Sequence, residues 1–254
     1  MKWTWIVVSL LLSVAPGLAG DTITLRADIW DPYNGDPASD RPGFMIEVAR
    51  KVFEKAGYTV DYQVDGWTWE RSLEEAKKGS IDGIVGAAKS DAEDFVFPSE
   101  ALCKQRMSFL VKKGNAWRFS GVDSLSSIRL GVISGYAYDD DIDAYIEKNK
   151  DNEDLIQSVQ DDNALELNIK KLAAGRIDAV IEDAAVFNTK ARSLNLDGQF
   201  ELAGDASSDD ELYIAFSPAK PSSTRYAEVL TAGIKEMKAS GELQQLLDKY
   251  GIGQ

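Results

Sequence analysis

One unit of this chain occurs twice. Trp69 to Val85 and Asn163 to Asp183 each carry an apolar run at helical spacing: Trp69, Leu73 and Ala76 in the first, and Leu165, Ile169 and Leu172 in the second. Each run stops at a glycine, Gly79 or Gly175, the residue that most readily takes the left-handed conformation closing a helix. A Ser-Ile-Asp or Arg-Ile-Asp turn then leads into a short apolar run of buried-strand type, Gly83 to Ala88 or Ala179 to Ile181. Helix, turn and strand used twice predict two matched α/β lobes, with the carboxyl ends of their strands facing a shared crevice.

The chain has 254 residues, enough for two lobes, and at 44% hydrophobic with six tryptophans it can bury a full core. The net charge of −14, with 42 acidic against 28 basic residues, and the lack of any basic stripe argue against nucleic acid or anionic lipid as partner. Residues 1–20 differ from the rest: Lys2, the apolar Trp5 to Val14, then Pro16-Gly-Leu-Ala19-Gly20 before the polar Asp21. That order predicts a secretory signal peptide cleaved after Ala19 or Gly20 and a periplasmic mature protein, an uncleaved anchor being the alternative. The one cysteine, Cys103, lies in the interior of the sequence, so it permits no intrachain disulfide and reads as a small core residue.

Taken in order, Asp21 to Ile29 reads as a strand, followed by a turn-rich aromatic loop from Trp30 to Pro37. Met45, Val48, Ala49, Val52, Phe53 and Ala56 then mark an amphipathic helix ending at Gly57. Strands are expected at Val60 to Val64, Met107 to Val111, Ile128 to Ile133, Leu155 to Val159 and Leu212 to Phe216. Further helices are expected over Tyr138 to Lys148, Ala184 to Ser193, Ser223 to Ala239 and Glu242 to Tyr250. The pattern places residues 21–111 and 215–254 in one lobe and 112–214 in the other, with the chain crossing near Val111 and again near Phe216 as a two-crossing hinge.

These residues carry a likeness. Pro42-Gly43-Phe-Met-Ile-Glu47 after the aromatic loop, Gly79-Ser-Ile-Asp82, Phe97-Pro98, Ser134-Gly135, Gly175-Arg-Ile-Asp178 and the ending Ser240-Gly-Glu-Leu-Gln-Gln-Leu-Leu-Asp-Lys-Tyr-Gly251 follow one another in order. Over residues 21 to 251 the chain resembles the family 3 periplasmic solute-binding proteins, the amino-acid-binding-like receptors of ABC importers. The resemblance implies a type II two-lobe periplasmic-binding-protein fold. It also implies a monomeric receptor, without cofactor or metal, that closes on a small polar solute and presents it to a membrane permease.

The resemblance also assigns a pocket. Trp30, Tyr33 and Trp69 match aromatic walls of the family's cleft, able to hold an aliphatic stem or a cation. Ala88, Lys89 and Ser90 match the ligand-binding segment after the strand. Family members that bind amino acids carry an arginine about three residues past the Ser90 position, whose fork clamps the α-carboxylate. Here the run is Ser90-Asp-Ala-Glu93-Asp94, so Arg71 or Lys89 would have to substitute. In the second lobe Ser134, Gly135 and Tyr136 match an acid-receiving turn, and Asp183 matches the carboxylate that binds the ligand's amino group. Asp161 and Asp162 are weaker candidates for the same cleft. The set is short of cations and rich in acids, which predicts an amine-bearing ligand and disfavours a dicarboxylate.

Two other functions compete. A periplasmic enzyme of the same fold, such as a cyclohexadienyl dehydratase, would need a general acid, for which Glu70, Glu93 or Asp183 are available. Against it stand the absence of histidine, of a Gly-x-Ser-x-Gly nucleophile and of a metal-ligand cluster in the sequence. A ligand presenter for a sensor kinase is the third reading.

Overall fold

The computed structural model describes residues 21–161, 163–206 and 210–252. The expected leader, residues 1–20, and Asp162 lie outside the described residues. Among the described residues no helix is long and apolar enough to cross a membrane.

The first sheet holds β1 (Thr22–Arg26), β2 (Thr59–Gln63), β3 (Gly83–Ala87), β4 (Cys103–Gln105) and β10 (Asp210–Phe216), in the order β2-β1-β3-β10-β4. The second holds β5 (Met107–Lys112), β6 (Leu130–Ile133), β7 (Ile156–Val159), β8 (Ala179–Asp183) and β9 (Phe200–Asp205), in the order β7-β6-β8-β5-β9. The two orders are equivalent strand for strand. In each sheet three strands are parallel, and the fourth, antiparallel to the third, comes from the chain's passage between the lobes.

That passage corrects the expected boundary. β5 pairs with β8 and β9 in the second sheet, and β10 pairs with β3 and β4 in the first along its length from Asp210. The chain therefore crosses at Arg106, between β4 and β5, and returns between Asp205 and Asp210. The apolar run Met107 to Val111 would be buried in either lobe, so its composition says nothing about which sheet it joins. β4, three residues long, and β9 escaped sequence reading, as did a 3₁₀ turn over Val122–Ser127.

Helices cover both faces of each sheet. In the first lobe Ile214 and Phe216 point to α1 (Phe44–Lys55), α6 (Ser223–Ser240) and α7 (Glu242–Tyr250), while Ile84 and Ala215 point to Trp69 and Ala76 of α2 (Trp69–Lys77). In the second, Leu110 and Val180 pack with α4 (Ala164–Ala173) and α5 (Ala184–Ser193), and Phe109 and Ile181 pack with Ile142 of α3 (Asp140–Asn149). Successive strand residues serve opposite layers, which is why these strands read as continuous apolar runs.

The repeated unit earns its place through its aspartate. Asp82 accepts hydrogen bonds from the Thr24 amide (2.8 Å) and hydroxyl (2.6 Å) at the start of β1, and an ion pair from Lys220 (2.8 Å). Asp178 does the same for β6, accepting from the Arg129 amide (2.8 Å) and its guanidinium Nε (3.1 Å). Each aspartate ties the helix-to-strand turn to the neighbouring parallel strand. Gly79 and Gly175, at φ +79° and +70°, hold the left-handed turn before it.

Candidate ligand cleft

The two sheets face each other across a cleft, and their strands' carboxyl ends line it. From the first lobe come Asp28 and Trp30 beyond β1, Trp69 at the start of α2, Gly86 of β3, and Asp91 beyond it. Tyr136 and Ala137 come from the second, after β6, and Gln105 and Met107 from either side of the crossing. Together they enclose an empty volume of about 380 Å³, part of it open to solvent. A second chamber of about 690 Å³ adjoins it, sharing Asp91, Gln105 and Ala137 and adding Ala88, Ser90, Tyr138, Asp139, Asp140, Asp143 and Asp210. Among the described residues, neither wall carries a lysine or an arginine.

Aromatic faces and carboxylates dominate the main cavity. Trp30 stacks on Tyr33 with ring centroids 4.4 Å apart, and Trp69 stands on the same wall. The Tyr136 hydroxyl donates to Asp28 Oδ2 at 2.6 Å, joining the lobes. Asp91 accepts from the Ala88 amide at 2.7 Å. Burial, reinforced by the charges of Asp210 and Asp143, pushes the Asp91 carboxyl up to about 6. The Asp143 carboxyl also lies above its ordinary range, through burial and then the neighbouring Asp139 and Asp140, although the Tyr138 amide opposes the rise.

Three more bridges tie the lobes. Trp30 Nε1 donates to Glu182 Oε1 at 3.0 Å. The Tyr33 hydroxyl donates to Asp183 Oδ2 at 3.2 Å. Glu70 of α2 reaches the second lobe, accepting from Ser134 Oγ at 2.9 Å and Gln160 Nε2 at 2.5 Å. Gly135 makes room for it: at φ +77°, a Cβ there would lie 2.3 Å from Glu70 Cγ. Glu182 is fully buried, and its Oε1 also accepts the Asp183 amide at 2.9 Å, while Oε2 has no partner among the described residues. Burial pushes its carboxyl up to about 8, despite the hydrogen bonds from Trp30 and Asp183.

The residues expected in the site divide into groups. Trp30, Trp69 and Tyr136 line the main cavity, and Ala88 and Ser90 line the second chamber. Tyr33, Ser134, Gly135 and Asp183 make lobe-to-lobe contacts. Asp183 does not stand on the cavity wall: its Oδ1 caps α5 by accepting from the Ala185 (2.8 Å) and Val186 (3.2 Å) amides. Arg71 is exposed, stacked on Trp67 with its guanidinium carbon 4.4 Å from the ring centroid, and Lys89 lies over Tyr213 at 4.9 Å. Neither lines the main cavity or the second chamber. Asp161 lies in a separate surface groove beside Lys170, Lys171 and Arg176. Sequence reasoning passed over Asp28, Asp91 and Gln105 as cavity-lining residues and Glu182 as a bridge between the lobes. Asp28 follows β1's carboxyl end, a position that points to the crevice in any open α/β sheet. Gln105 carried no signal.

The sequence matches the family model of the bacterial extracellular solute-binding proteins, family 3, over residues 27–254. Among curated proteins, none matches. Solved structures share the fold at low identity. An ancestral arginine-binding protein bound to glutamine matches with TM-score 0.71 at 18% identity, over 91% of this chain and 98% of that one. An amino-acid ABC transporter substrate-binding protein from Streptococcus pneumoniae bound to L-arginine matches with TM-score 0.69 at 19% identity, over 92% and 97%. A histidine kinase sensor domain similar to periplasmic binding proteins matches with TM-score 0.72 at 15% identity, over 91% and 96%.

Proposed function

The chain belongs to the bacterial extracellular solute-binding proteins of family 3, and from that premise we propose an exported receptor whose lobes close on a small amine-bearing solute and deliver it to an ABC-type permease. The observation that carries the solute class is the cavity wall: Asp28 and Asp91 stand among the faces of Trp30, Trp69 and Tyr136, with no lysine or arginine among its described residues. Carboxylates and aromatic faces both attract an ammonium group. A dicarboxylate would meet like charge and no fork to clamp it. We read the site as binding rather than catalysing, in line with the family match and with the ligand-bound solute receptors that share the fold.

A thermal-shift panel tests the reading. At about a hundred times its dissociation constant, a ligand adds about 2.7 kcal/mol, a rise of several degrees at this chain length. The expected result is a rise with amines or basic amino acids and none with glutamate, aspartate or sugars. A response confined to acidic or neutral solutes overturns it. A second reading, presentation of the same solute to a sensor kinase, draws support from the shared fold of the histidine kinase sensor domain; binding of the loaded receptor to a permease in membrane vesicles separates the two.

A further inference from the structure

The second chamber has no use in a receptor for a compact solute, yet its wall is built. Its acids Asp91, Asp139, Asp140, Asp143 and Asp210 face one space from both lobes and from the crossing. Gln105, 8% exposed, lines both chambers, and its Oε1 accepts no hydrogen bond from any of the described residues. A buried acceptor without a donor costs free energy comparable to a lost hydrogen bond, so the place between the chambers calls for a donor from outside the protein. Among the described residues, no three histidine, cysteine, aspartate or glutamate side chains converge as a metal site. Acids that share a chamber without converging on one point suit an organic cation better than a metal ion.

A ligand acid group, by contrast, finds its place taken. The turn after β6 has its donors engaged within the protein: the Ser134 amide donates to the Val159 carbonyl and the Tyr136 amide to the Ile133 carbonyl, and the Glu70 carboxylate holds the Ser134 hydroxyl, together with the Gln160 amide that follows β7. The absent side chain of Gly135 lets it sit there.

Resting on the receptor reading above, we propose that the solute is an elongated dication without an acid group, one ammonium in the main cavity near Asp28 and Asp91, the other in the second chamber near Asp139 and Asp140, with Gln105 Oε1 accepting a donor between them. An α-amino acid of the same length is disfavoured by its carboxylate, and a monoamine of the same length leaves the second chamber unneutralised.

The test is calorimetric titration of the purified protein with matched compounds: cadaverine against lysine, agmatine against arginine, and cadaverine against pentylamine. The expected result is binding of cadaverine or agmatine at least tenfold tighter than the matched amino acid, and of cadaverine at least tenfold tighter than pentylamine. Asp140→Asn, at an exposed position with no cap bond of its own, should weaken the diamine several-fold and leave pentylamine unchanged. Gln105→Leu should weaken both diamines. Lysine or arginine binding as tightly as its decarboxylated partner, or pentylamine matching cadaverine, overturns the dication proposal and leaves the amine receptor standing. Binding of acidic or neutral solutes alone, or of no compound, overturns both.

Discussion

Glu182→Gln should stabilise this protein, and by an amount that depends on pH. The side chain is fully buried, held by Trp30 Nε1 and the Asp183 amide through one oxygen, with nothing opposite the other. Its carboxyl titrates at about 8 in the fold, against 4.5 for an ordinary glutamate. Below about 4.5 both folded and unfolded chains hold the proton, and the group is neutral in its effect. As pH rises from there, the unfolded chain gives up a proton that the fold retains, so stability falls by about 1.4 kcal/mol per pH unit until about 8. By pH 7 the loss is about 3 kcal/mol. Glutamine keeps the accepting oxygen for Trp30 and Asp183 and cannot ionise, so the variant escapes this loss. At about 2–4 °C per kcal/mol for a chain of this size, its melting temperature should exceed the parent's by roughly 6–12 °C at pH 7, and the gap should close toward pH 4.5. Melting followed by circular dichroism at half-unit steps from pH 4.5 to 8 reads the difference directly. A gap that stays constant across that range would refute the argument, since it would mean that Glu182 is not the group taking up the proton.

Three further outcomes follow from the same geometry. Affinity for an amine should fall about tenfold between pH 7.5 and pH 5 by calorimetry, because Asp91, titrating at about 6, gains a proton and loses the charge that attracts the ligand. Asp82→Ala should cost about 3–5 kcal/mol in urea unfolding, since it strands Lys220 and both Thr24 donors at a site where the aspartate side chain is 8% exposed; Asp178→Ala should cost about 1 kcal/mol, its partner Arg129 being 37% exposed and able to turn to water. Cys103 should resist a thiol reagent in the native protein and react at once in urea, because burial both shields the sulfur and pushes its thiol up.

Much of the architecture was legible because burial on both sheet faces writes itself into sequence as apolar runs at strand length, and helix ends write themselves as glycines. Gly79 and Gly175 with Asp82 and Asp178 marked the twin units, and the structure assigns the aspartates a physical job in pinning a neighbouring strand. The crossing was not legible: Cys103–Gln105 and Met107–Lys112 are separated only by Arg106, without the glycine or proline that usually signals a break. The site was legible in part. Trp30 and Trp69, expected as aromatic walls, and Tyr136, expected as part of an acid-receiving turn, line the main cavity, while Asp183 caps a helix, and an N-cap and a ligand-binding aspartate look identical in sequence. Gln105 and Glu182 act through burial and unpartnered oxygens, which one-dimensional patterns do not encode.

The way the lobes meet bears on what drives closure. Each of the four bridges pairs a carboxyl group with a neutral donor: Asp28 with Tyr136, Glu70 with Ser134 and Gln160, Glu182 with Trp30, Asp183 with Tyr33. Apart from Glu182, whose carboxyl burial pushes up to about 8, these bridges fix geometry and leave the negative charge in place, so closing gathers acids from both lobes around one cavity. A cation bound there meets both sets only in the closed form, and that differential affinity is what a ligand needs to shift the equilibrium. Glu70 tests the balance, because it contributes bonds to closure from outside the main cavity wall. Glu70→Ala removes two charge-assisted bonds between lobes, about 1–3 kcal/mol of closure. The ligand-free variant should therefore show a larger radius of gyration by small-angle scattering, and saturating amine should return it to the parent's value. A variant that stays as compact as the parent without ligand would place the closing force elsewhere than in these bridges.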